Sequence, residues 1–386
     1  MNRLFGPAVL LLGGLAAAGS AISAAAETRP FAWAGQLSGW ASLQSLDRTE
    51  GFVGIRYIPT LSFSTSRAGL NLDAEASVNA TGSVDVLPIS DFRADARLKS
   101  YRVWARLSTA RFEARLGLQK INFGSAALLR PLMWFDRIDP NDPLQLTDGV
   151  TGLLCKYTFQ NNTNVWLWGL YGNDETKGWE AVPSRRSVPE FGGRIQVPMP
   201  AGELALTYHH RRLDAARSLI PLPLGESGNV PEDRLGLDGK WDLGPGVWIE
   251  AALIRQKWTL HPLKYQRMIT IGADYTFSVG NGLHVLAEHL DYSISPEAWG
   301  AGTSRRLTAV LIDYPLSLLD RLRGVLFRDW TSGDWYRILT WQRTYDRWSI
   351  FFIGFWNPDT YRVTIDPRGG TTFAGKGIQI MVAFNH

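Results

Sequence analysis

The stretch that decides the fold is "RLGLDGKWDL", residues 234–243, in which apolar and polar side chains alternate. The apolar face carries Leu235, Leu237, Trp241 and Leu243, and the polar face carries Arg234, Asp238, Lys240 and Asp242. Alternation with a period of two is typical of a β-strand that presents its two faces to different surroundings. The segment therefore predicts a strand with one apolar side and one charged side.

The same alternation recurs along most of the chain, for example over 101–108, 112–119, 203–210 and 267–277. Short connections are expected near 64–67, 108–111, 160–164, 198–203, 243–246, 278–282, 315–320 and 345–348. Longer, more polar connections are expected at 81–91, 122–149, 174–188, 214–231, 295–304 and 358–370, with a shorter one at 331–334. This alternation of short and long connections predicts an all-β chain of about 18 strands, with 16 as the alternative, in a single transmembrane antiparallel β-barrel. The short turns would face the periplasm and the long loops the cell exterior.

The first residues of the chain have the layout of an export signal. Arg3 precedes an apolar run that ends in the small residues 24–26. We expect a signal peptide over 1–26 and the barrel over 27–386. No later segment is long and apolar enough to be a membrane helix. Cys155 is the single cysteine, so the exported fold has no internal disulfide framework.

Aromatic residues support a membrane location, because rings on the lipid side of a barrel collect at the two membrane interfaces. The chain has 16 Trp residues, and many aromatic residues stand near the expected turns. The final strand, "KGIQIMVAFNH", places Ile378, Ile380, Val382 and Phe384 on one face. An apolar terminal strand must pair with the first strand, because an unpaired edge in lipid is costly. These features predict a multi-pass barrel in the bacterial outer membrane.

A barrel of about 18 strands encloses a channel, so the polar faces should line a lumen. The predicted pore wall consists of Arg102, Arg106, Arg115, Gln119, Arg194, Arg234 and Lys240, and Arg306 is also expected to point inward. Basic residues outnumber acidic ones on this wall, which favours anions in a pore. The alternative is that these arginines pair with carboxylates such as Glu113 and only stabilise the wall.

The connection "INFGSAALLRPLMWFDRIDPNDPLQLTDGVTG", residues 121–152, differs from the other loops in its apolar core. A surface loop has no need of so many large apolar side chains, and exposed they would form a costly patch. We expect residues 122–149 to fold into the barrel as a constriction loop and to pack on apolar inner strands near 349–357. Its charged residues Arg130, Asp136, Arg137, Asp139, Asp142 and Asp148 would then contribute to the constriction, with the acids facing the arginine wall. A lid or an oligomer contact is the alternative for this loop.

Catalytic motifs are absent from the sequence: it has no G-x-S-x-G, no H-E-x-x-H and no Walker A loop. His209 and His210 are adjacent, so in a strand they point to opposite faces. We therefore expect no enzyme activity, no cofactor and no metal. The chain has 40 basic and 36 acidic residues, an excess too small to indicate nucleic-acid binding.

The segment Arg115-x-Gly117-x-Gln119-x-Ile121-x-x-Gly124 ends a strand and enters the long loop. It resembles a segment of bacterial outer-membrane porins, including the alginate-export-like and anion-selective families. The resemblance implies passive diffusion of small hydrophilic, and in some cases anionic, solutes, with outer-membrane lipid around the barrel. A homo-oligomer such as a trimer, or a periplasmic or extracellular protein partner, is compatible with it. The alternative function is a barrel that sheathes a partner, such as a secreted polymer or an electron-carrying cytochrome.

Overall fold

The computed structural model describes residues 30–46, 48–87, 93–138, 142–223, 225, 228–359 and 373–386. The expected signal peptide lies outside these residues. The strands are β1 (Phe31–Ser45), β2 (Thr49–Arg67), β3 (Leu70–Leu87), β4 (Arg93–Ser108), β5 (Phe112–Gln119), β6 (Val150–Thr158), β7 (Asn164–Leu170), β8 (Glu190–Met199), β9 (Gly202–Leu213), β10 (Val230–Asp242), β11 (Gly246–Gln256), β12 (Tyr265–Phe277), β13 (Leu283–Ser295), β14 (Thr303–Pro315), β15 (Asp320–Asp329), β16 (Trp335–Thr344), β17 (Trp348–Trp356) and β18 (Lys376–Asn385).

These strands form one closed antiparallel sheet of 18 strands, as predicted. Each strand pairs with its neighbours in sequence, and β1 pairs with both β2 and β18. Leu37 of β1 lies opposite Phe384 of β18, so the apolar terminal strand closes the barrel. Closure gives every strand two partners and leaves no open edge.

Connections at one end of the barrel are short and those at the other end are mostly longer. The turn between β2 and β3 consists of Ala68 and Gly69, with φ angles of 52° and 80°. Positive φ at both central residues is the geometry of a tight hairpin turn that matches strand twist. The predicted turn at 64–67 is therefore wrong by a few residues, because β2 continues through Arg67. The other short connections lie where the sequence pattern placed them.

The outer face of the barrel is apolar. Leu116 is 62% exposed and Leu167 is 60% exposed, whereas their strand neighbours face inward. Next to short turns, Tyr157 packs against Phe159 and Tyr275 packs against Phe277, with ring centroids 4.8 and 4.9 Å apart. An apolar band with aromatic residues at its rim is the surface of a membrane-spanning barrel.

The described residues include one short 3-10 helix, Ala215–Arg217. None of the helical segments in the described part of the chain has the length and apolar character needed to cross a membrane.

A β-bulge changes the phase of β4. The register between β3 and β4 shifts between Ser77 and Val78, so that Ser77 lies opposite Arg102 and Val78 opposite Ser100. Beyond the bulge, Lys99 lies opposite the buried Asn79, on the inner side. An extra residue in one strand moves every later side chain to the other face.

Candidate functional site: the lumen and its crossing loop

The connection between β5 and β6, residues 120–149, is named the crossing loop here because it contacts distant parts of the barrel wall. Its beginning lies on β6 and β7: Phe123 stacks on Trp168 with centroids 5.8 Å apart, and Phe135 contacts the same indole at 5.4 Å. Leu154 belongs to the same buried cluster. These inner-face residues of β6 and β7 are apolar, so they provide a dry surface for the loop.

Two buried carboxylates on β11 and β13 hold the middle of the crossing loop. Glu250 accepts hydrogen bonds from the backbone N–H groups of Ala126 (2.8 Å) and Leu132 (2.6 Å). Glu288 accepts backbone N–H bonds from Ala127 (2.6 Å), Leu128 (2.9 Å) and Leu129 (2.6 Å). These hydrogen bonds satisfy loop N–H groups that have no strand partner.

Gly124 explains why this part of the loop approaches the wall so closely. Its φ is 101°, and a Cβ at this position would overlap the carboxylate of Glu250. Only glycine combines that backbone conformation with the absence of a side chain. Thr270 of β12 adds a hydrogen bond from its hydroxyl to the carbonyl of Leu129 (2.7 Å).

The later part of the crossing loop lies against a third region of the wall. Leu144 packs on the apolar cluster of β16–β18 that contains Phe351 and Phe355. Asp142 and Pro143 border a small cavity that β15–β17 line from the other side. In a ring of 18 strands, β7 and β17 lie on nearly opposite sides. A loop that touches β7, β11–β13 and β17 therefore spans the lumen.

The apolar residues of the crossing loop are buried. Leu129, Leu132, Met133, Trp134 and Phe135 are all less than 10% exposed. The apolar inner face near 349–357 is likewise covered: Phe373, from the connection after β17, packs against Phe355 with centroids 5.4 Å apart. The inner apolar surface is thus filled by the chain's own loops.

A second connection, residues 171–189, packs on the crossing loop. Trp179 donates from Nε1 to the carbonyl of Arg130 (2.8 Å), and the N–H of Gly178 donates to the carbonyl of Asp136 (3.0 Å). Lys177 reaches the carbonyl of Gly149 (3.3 Å). Burial lowers the pKa of Lys177, against the opposing charges of nearby carboxylates that include Asp148.

The wall arginines of β4 and β5 lie on the inner face and are partly exposed. Arg106 pairs with Asp73 (2.9 Å) and Glu113 (3.6 Å). Arg115 pairs with Glu113 (3.1 Å) and stacks over Trp104, with its guanidinium carbon 4.7 Å from the ring centroid. The carboxylates that these two arginines contact belong to the wall and not to the crossing loop.

Arg102 and Gln119 are buried and bind backbone. Arg102 donates to the carbonyl of Thr147 (2.8 Å), near the end of the crossing loop. Gln119 donates to the carbonyls of Arg115 and Gly152, both at 3.0 Å. Arg102 fixes the end of the loop to the wall, and Gln119 joins β5 to β6 where the loop leaves the wall.

Arg194 and Arg234 lie on the inner face but beneath the loops. Arg194 makes a two-pronged pair with Asp238 (2.5 and 2.9 Å), and both side chains are 3% exposed. Arg234 pairs with Glu232 (2.7 Å) and with Glu180 (2.6 Å) of the 171–189 connection. Lys240 lies nearer the short turns, 5.4 Å from the centroid of the Trp248 ring.

The charged residues of the crossing loop bind in different places. Arg130 pairs with Asp136 (3.3 Å), and Arg137 donates to the carbonyl and hydroxyl of Thr176. Asp148 pairs with Lys99 of β4 (2.7 Å). Asp139 lies outside the described residues.

The two described aspartates near the end of the loop have opposite pKa shifts. Burial raises the pKa of Asp142, although it accepts hydrogen bonds from Leu144 and Leu146 and lies near the charge of Arg56. Burial also opposes ionisation of Asp148, but its hydrogen bond and ion pair with Lys99 hold the pKa below the usual range. The surroundings therefore destabilise the charged form of Asp142 and stabilise the charged form of Asp148.

Several residues that shape the lumen were missed in the sequence or assigned to the wrong face. Arg306 was expected in the lumen but lies on the outer face, because its neighbours Arg305 and Leu307 point inward. Lys99 was missed because the bulge reverses the phase of β4. The anchoring role of Glu250 and Glu288 has no local sequence signal, since their partners are more than 100 residues away.

The adjacent histidines, which could in principle take part in catalysis or metal binding, make structural contacts. His209 accepts from Trp168 Nε1 (3.2 Å) and contacts Glu190 (3.1 Å) in a fully packed site. His210 points outward and contacts Asp233 (2.7 Å). Within the described ranges, no group of three or more His, Cys, Asp or Glu side chains is placed to hold a metal ion.

No protein-family model matches the chain, and no curated protein sequence matches it. Solved structures do match over nearly the whole length. OccAB4 of Acinetobacter baumannii has a TM-score of 0.56 at 11% identity, covering 92% of this chain and 97% of its own. OpdQ of Pseudomonas aeruginosa has a TM-score of 0.56 at 10% identity, covering 92% and 98%. OccK7 of the same organism has a TM-score of 0.56 at 10% identity, covering 93% and 99%.

These structures are bacterial outer-membrane porins, and at such low identity the likeness concerns the fold. It agrees with the closed sheet, the apolar exterior and the charged interior described above. The expectation of a porin-type barrel is confirmed: this chain has the fold of the 18-stranded porins of the bacterial outer membrane.

Proposed function

We propose that the protein is a passive diffusion channel for small hydrophilic solutes, narrowed by the crossing loop. The observation that carries the proposal is the path of that loop, from β6 and β7 through Glu250 and Glu288 to the cluster around Phe351. A loop bound at three places on the wall reduces the open cross-section of the barrel. The solute would pass along the part of the lumen that the loop leaves free.

The charges beside this free part favour anions. On the inner face of β2–β6, Arg56, Arg106, Arg115 and Lys156 stand with Asp73, Glu75 and Glu113. On β15, Arg321 and Arg323 share the single carboxylate of Asp313, at 3.2 and 2.9 Å. An excess of basic groups along a pore attracts anions and repels cations. The proposed selectivity is mild because most of these groups have a carboxylate nearby.

The sheath for a partner protein or polymer is less well supported. Its main support in the sequence was the apolar inner face near 349–357, and the chain's own Leu144 and Phe373 pack there. A trimer or other homo-oligomer is compatible with the channel and stays a prediction.

Planar-bilayer recording of the purified protein tests the proposal. A passive channel gives discrete conductance steps without any added partner. Bilayers that contain correctly folded barrel but show no steps would contradict it and favour the sheath.

A further inference from the structure

Five arginines form an arc on the outer face of the barrel near the long connections. This basic arc consists of Arg255 on β11, Arg267 on β12, Arg306 on β14, Arg328 on β15 and Arg337 on β16. Residues next to them in sequence, such as Ile254, Met268, Leu307, Phe327 and Ile338, are buried and point inward. Because side chains alternate along a strand, the five arginines point away from the lumen.

The arginines of the basic arc lie at a common height. Counted along each strand from its short-turn end, they stand between seven residues (Arg337 from Thr344) and ten residues (Arg267 from Phe277) away. With a rise of about 3.3 Å per residue and a strand tilt of about 40°, this places them roughly 18–25 Å above the short turns. The apolar band of such barrels is about 25 Å tall. The basic arc thus lies in the upper third of the apolar band, from which long arginine side chains can extend to the boundary.

Aromatic rings lie beside four of these five guanidinium groups, all except that of Arg306. Arg267 lies 5.0 Å from the ring centroid of Trp299, and Arg328 lies 5.1 Å from that of Trp335. Among the described residues, no carboxylate oxygen lies within 4.0 Å of any arginine in the arc. Asp291 is the cross-strand neighbour of Arg306 and does not reach it at that distance. The arc therefore presents guanidinium groups that form no ion pair with the described residues, most of them beside aromatic rings, although Asp233 and Asp291 lie across from Arg255 and Arg306.

The rest of the barrel's circumference differs from the basic arc in its outward charges. At the long-connection ends of β1–β8, the outward positions that the structure describes within these strands carry no Lys or Arg and include Leu98, Leu116, Leu153 and Phe191, although the exposed Lys120 follows the last residue of β5. The outward positive charge on the strands is thus concentrated on one side of the barrel. A general need for solubility at the membrane boundary would not produce this asymmetry.

We propose that the basic arc binds the phosphate groups of anionic lipid headgroups in the leaflet that faces the long connections. One guanidinium group can donate two parallel hydrogen bonds to two oxygens of the same phosphate. The attraction between the guanidinium and the phosphate is stronger at the low dielectric of a membrane interface than in water. The neighbouring tryptophans favour the same depth, because an indole ring suits the boundary between apolar and wet surroundings. The proposal rests on the membrane-barrel fold and does not depend on the channel function.

The test compares two charge-matched variants of the full chain, each refolded in detergent and checked by the heat-dependent shift of the folded barrel on gels. The arc variant carries Arg267→Gln, Arg306→Gln and Arg328→Gln. The control carries Arg67→Gln, Arg111→Gln and Arg347→Gln, exposed arginines at the short-turn end. Native mass spectrometry measures how many molecules of phosphatidylglycerol and of phosphatidylcholine stay bound to each variant. The measurement is made with and without millimolar inorganic phosphate.

The proposal expects the wild type and the control to retain phosphatidylglycerol preferentially, and the arc variant to bind it about tenfold more weakly, since each basic group near a lipid surface contributes measurably. Replacement of the same three arginines by lysine should restore part of the binding. Equal retention by all variants, or an equal loss in the control, would overturn the proposal. Displacement of the lipid by inorganic phosphate would also overturn it and would identify a free-phosphate site.

Discussion

Two sides of the lumen contain the same types of residue in different surroundings. On the side of β8–β13, Arg194, Arg234 and their carboxylates are nearly sealed from solvent beneath the loops. On the side of β2–β5 and β15, Arg106 and Arg323 are paired but remain about one-third exposed. The first is the covered side and the second the open side.

This difference shows that a charged residue on the inner face of a barrel does not by itself line the pore. On the covered side, the charges hold loops: Glu180 of the 171–189 connection binds Arg234, and Glu250 binds the crossing loop. On the open side, the charges are in contact with the solution that solutes would cross. Substitutions on the covered side should therefore change stability, and those on the open side should change permeation.

The largest effect is expected for Arg234→Met on the covered side. It leaves Glu232 and Glu180 buried with one fewer partner, and breaking a buried pair in this way costs about 3–5 kcal/mol. The matched change on the open side, Arg106→Met, should cost at most about 1 kcal/mol because its pair is partly exposed. Urea unfolding in detergent micelles measures both free energies. Equal losses would show that the two sides do not differ.

The next effect concerns the anchors of the crossing loop. In the double variant Glu250→Gln and Glu288→Gln, an amide NH₂ group that cannot accept replaces one acceptor oxygen of each side chain, and each of the five backbone N–H groups left without a partner costs about 1–3 kcal/mol. We expect local release of the loop with the barrel intact, and trypsin should cut after Arg137 at least tenfold faster. Glu75→Gln on the open side is the control. Unchanged cleavage would mean that apolar packing alone holds the loop.

The sequence predicted the barrel well because the barrel depends on alternation, which every strand repeats. Segment 234–243 alternates as Leu235 and Leu237 outward and Arg234 and Asp238 inward, and the structure agrees. The division into covered and open sides could not be predicted in this way. It depends on which wall residues the loops reach, and the bond from Leu129 to Glu288 joins residues 159 positions apart.

Two adjacent arginines also show what the alternation of the sequence cannot predict. Arg305 and Arg306 follow one another, and the alternation alone does not say which of them faces lipid. In the structure Arg305 points inward and pairs with Asp329 (2.8 Å), whereas Arg306 joins the basic arc. The bulge at Ser77 and Val78 likewise has no obvious sequence signal, and it carries Lys99 to Asp148.

A smaller effect is expected for the two aspartates of the crossing loop, whose contributions to stability depend on pH in opposite directions. Asp148 has a lowered pKa, so its contribution to stability is present above the usual value of 3.8 and is lost as the pH falls through the lower folded pKa. Asp142 has a raised pKa, so it costs stability as the pH rises above 3.8. Asp148→Asn should thus loosen the loop at pH 7, and Asp142→Asn should tighten it, each by about 1 kcal/mol or less.

Hydrogen exchange of the loop amides at pH 7 and pH 3 measures these changes. Both differences from the wild type should shrink at pH 3, where the wild-type aspartates approach the neutral form of the variants. The same sign for both variants at pH 7 would contradict the assignment.

The smallest effect is expected in selectivity. Arg321→Gln with Arg323→Gln removes the basic pair that borders the cavity beside Asp142 and leaves Asp313 unpaired. The anion-to-cation permeability ratio from reversal potentials should fall roughly twofold. Lys240→Gln, which removes a charge that stands over Trp248, serves as the comparison and should change the ratio less. A larger shift from the Lys240 variant would place the selective region elsewhere.

The most direct test of the account is the single-channel conductance of a barrel without its crossing loop. Residues 123–147 would be replaced by a short Gly–Ser linker, and the heat-dependent gel shift would verify that the barrel has closed. If the loop spans the lumen and narrows it, the conductance step should rise at least about twofold over the wild type, because the narrowest section controls conductance. An unchanged step in a correctly folded barrel would show that the loop does not limit the pore.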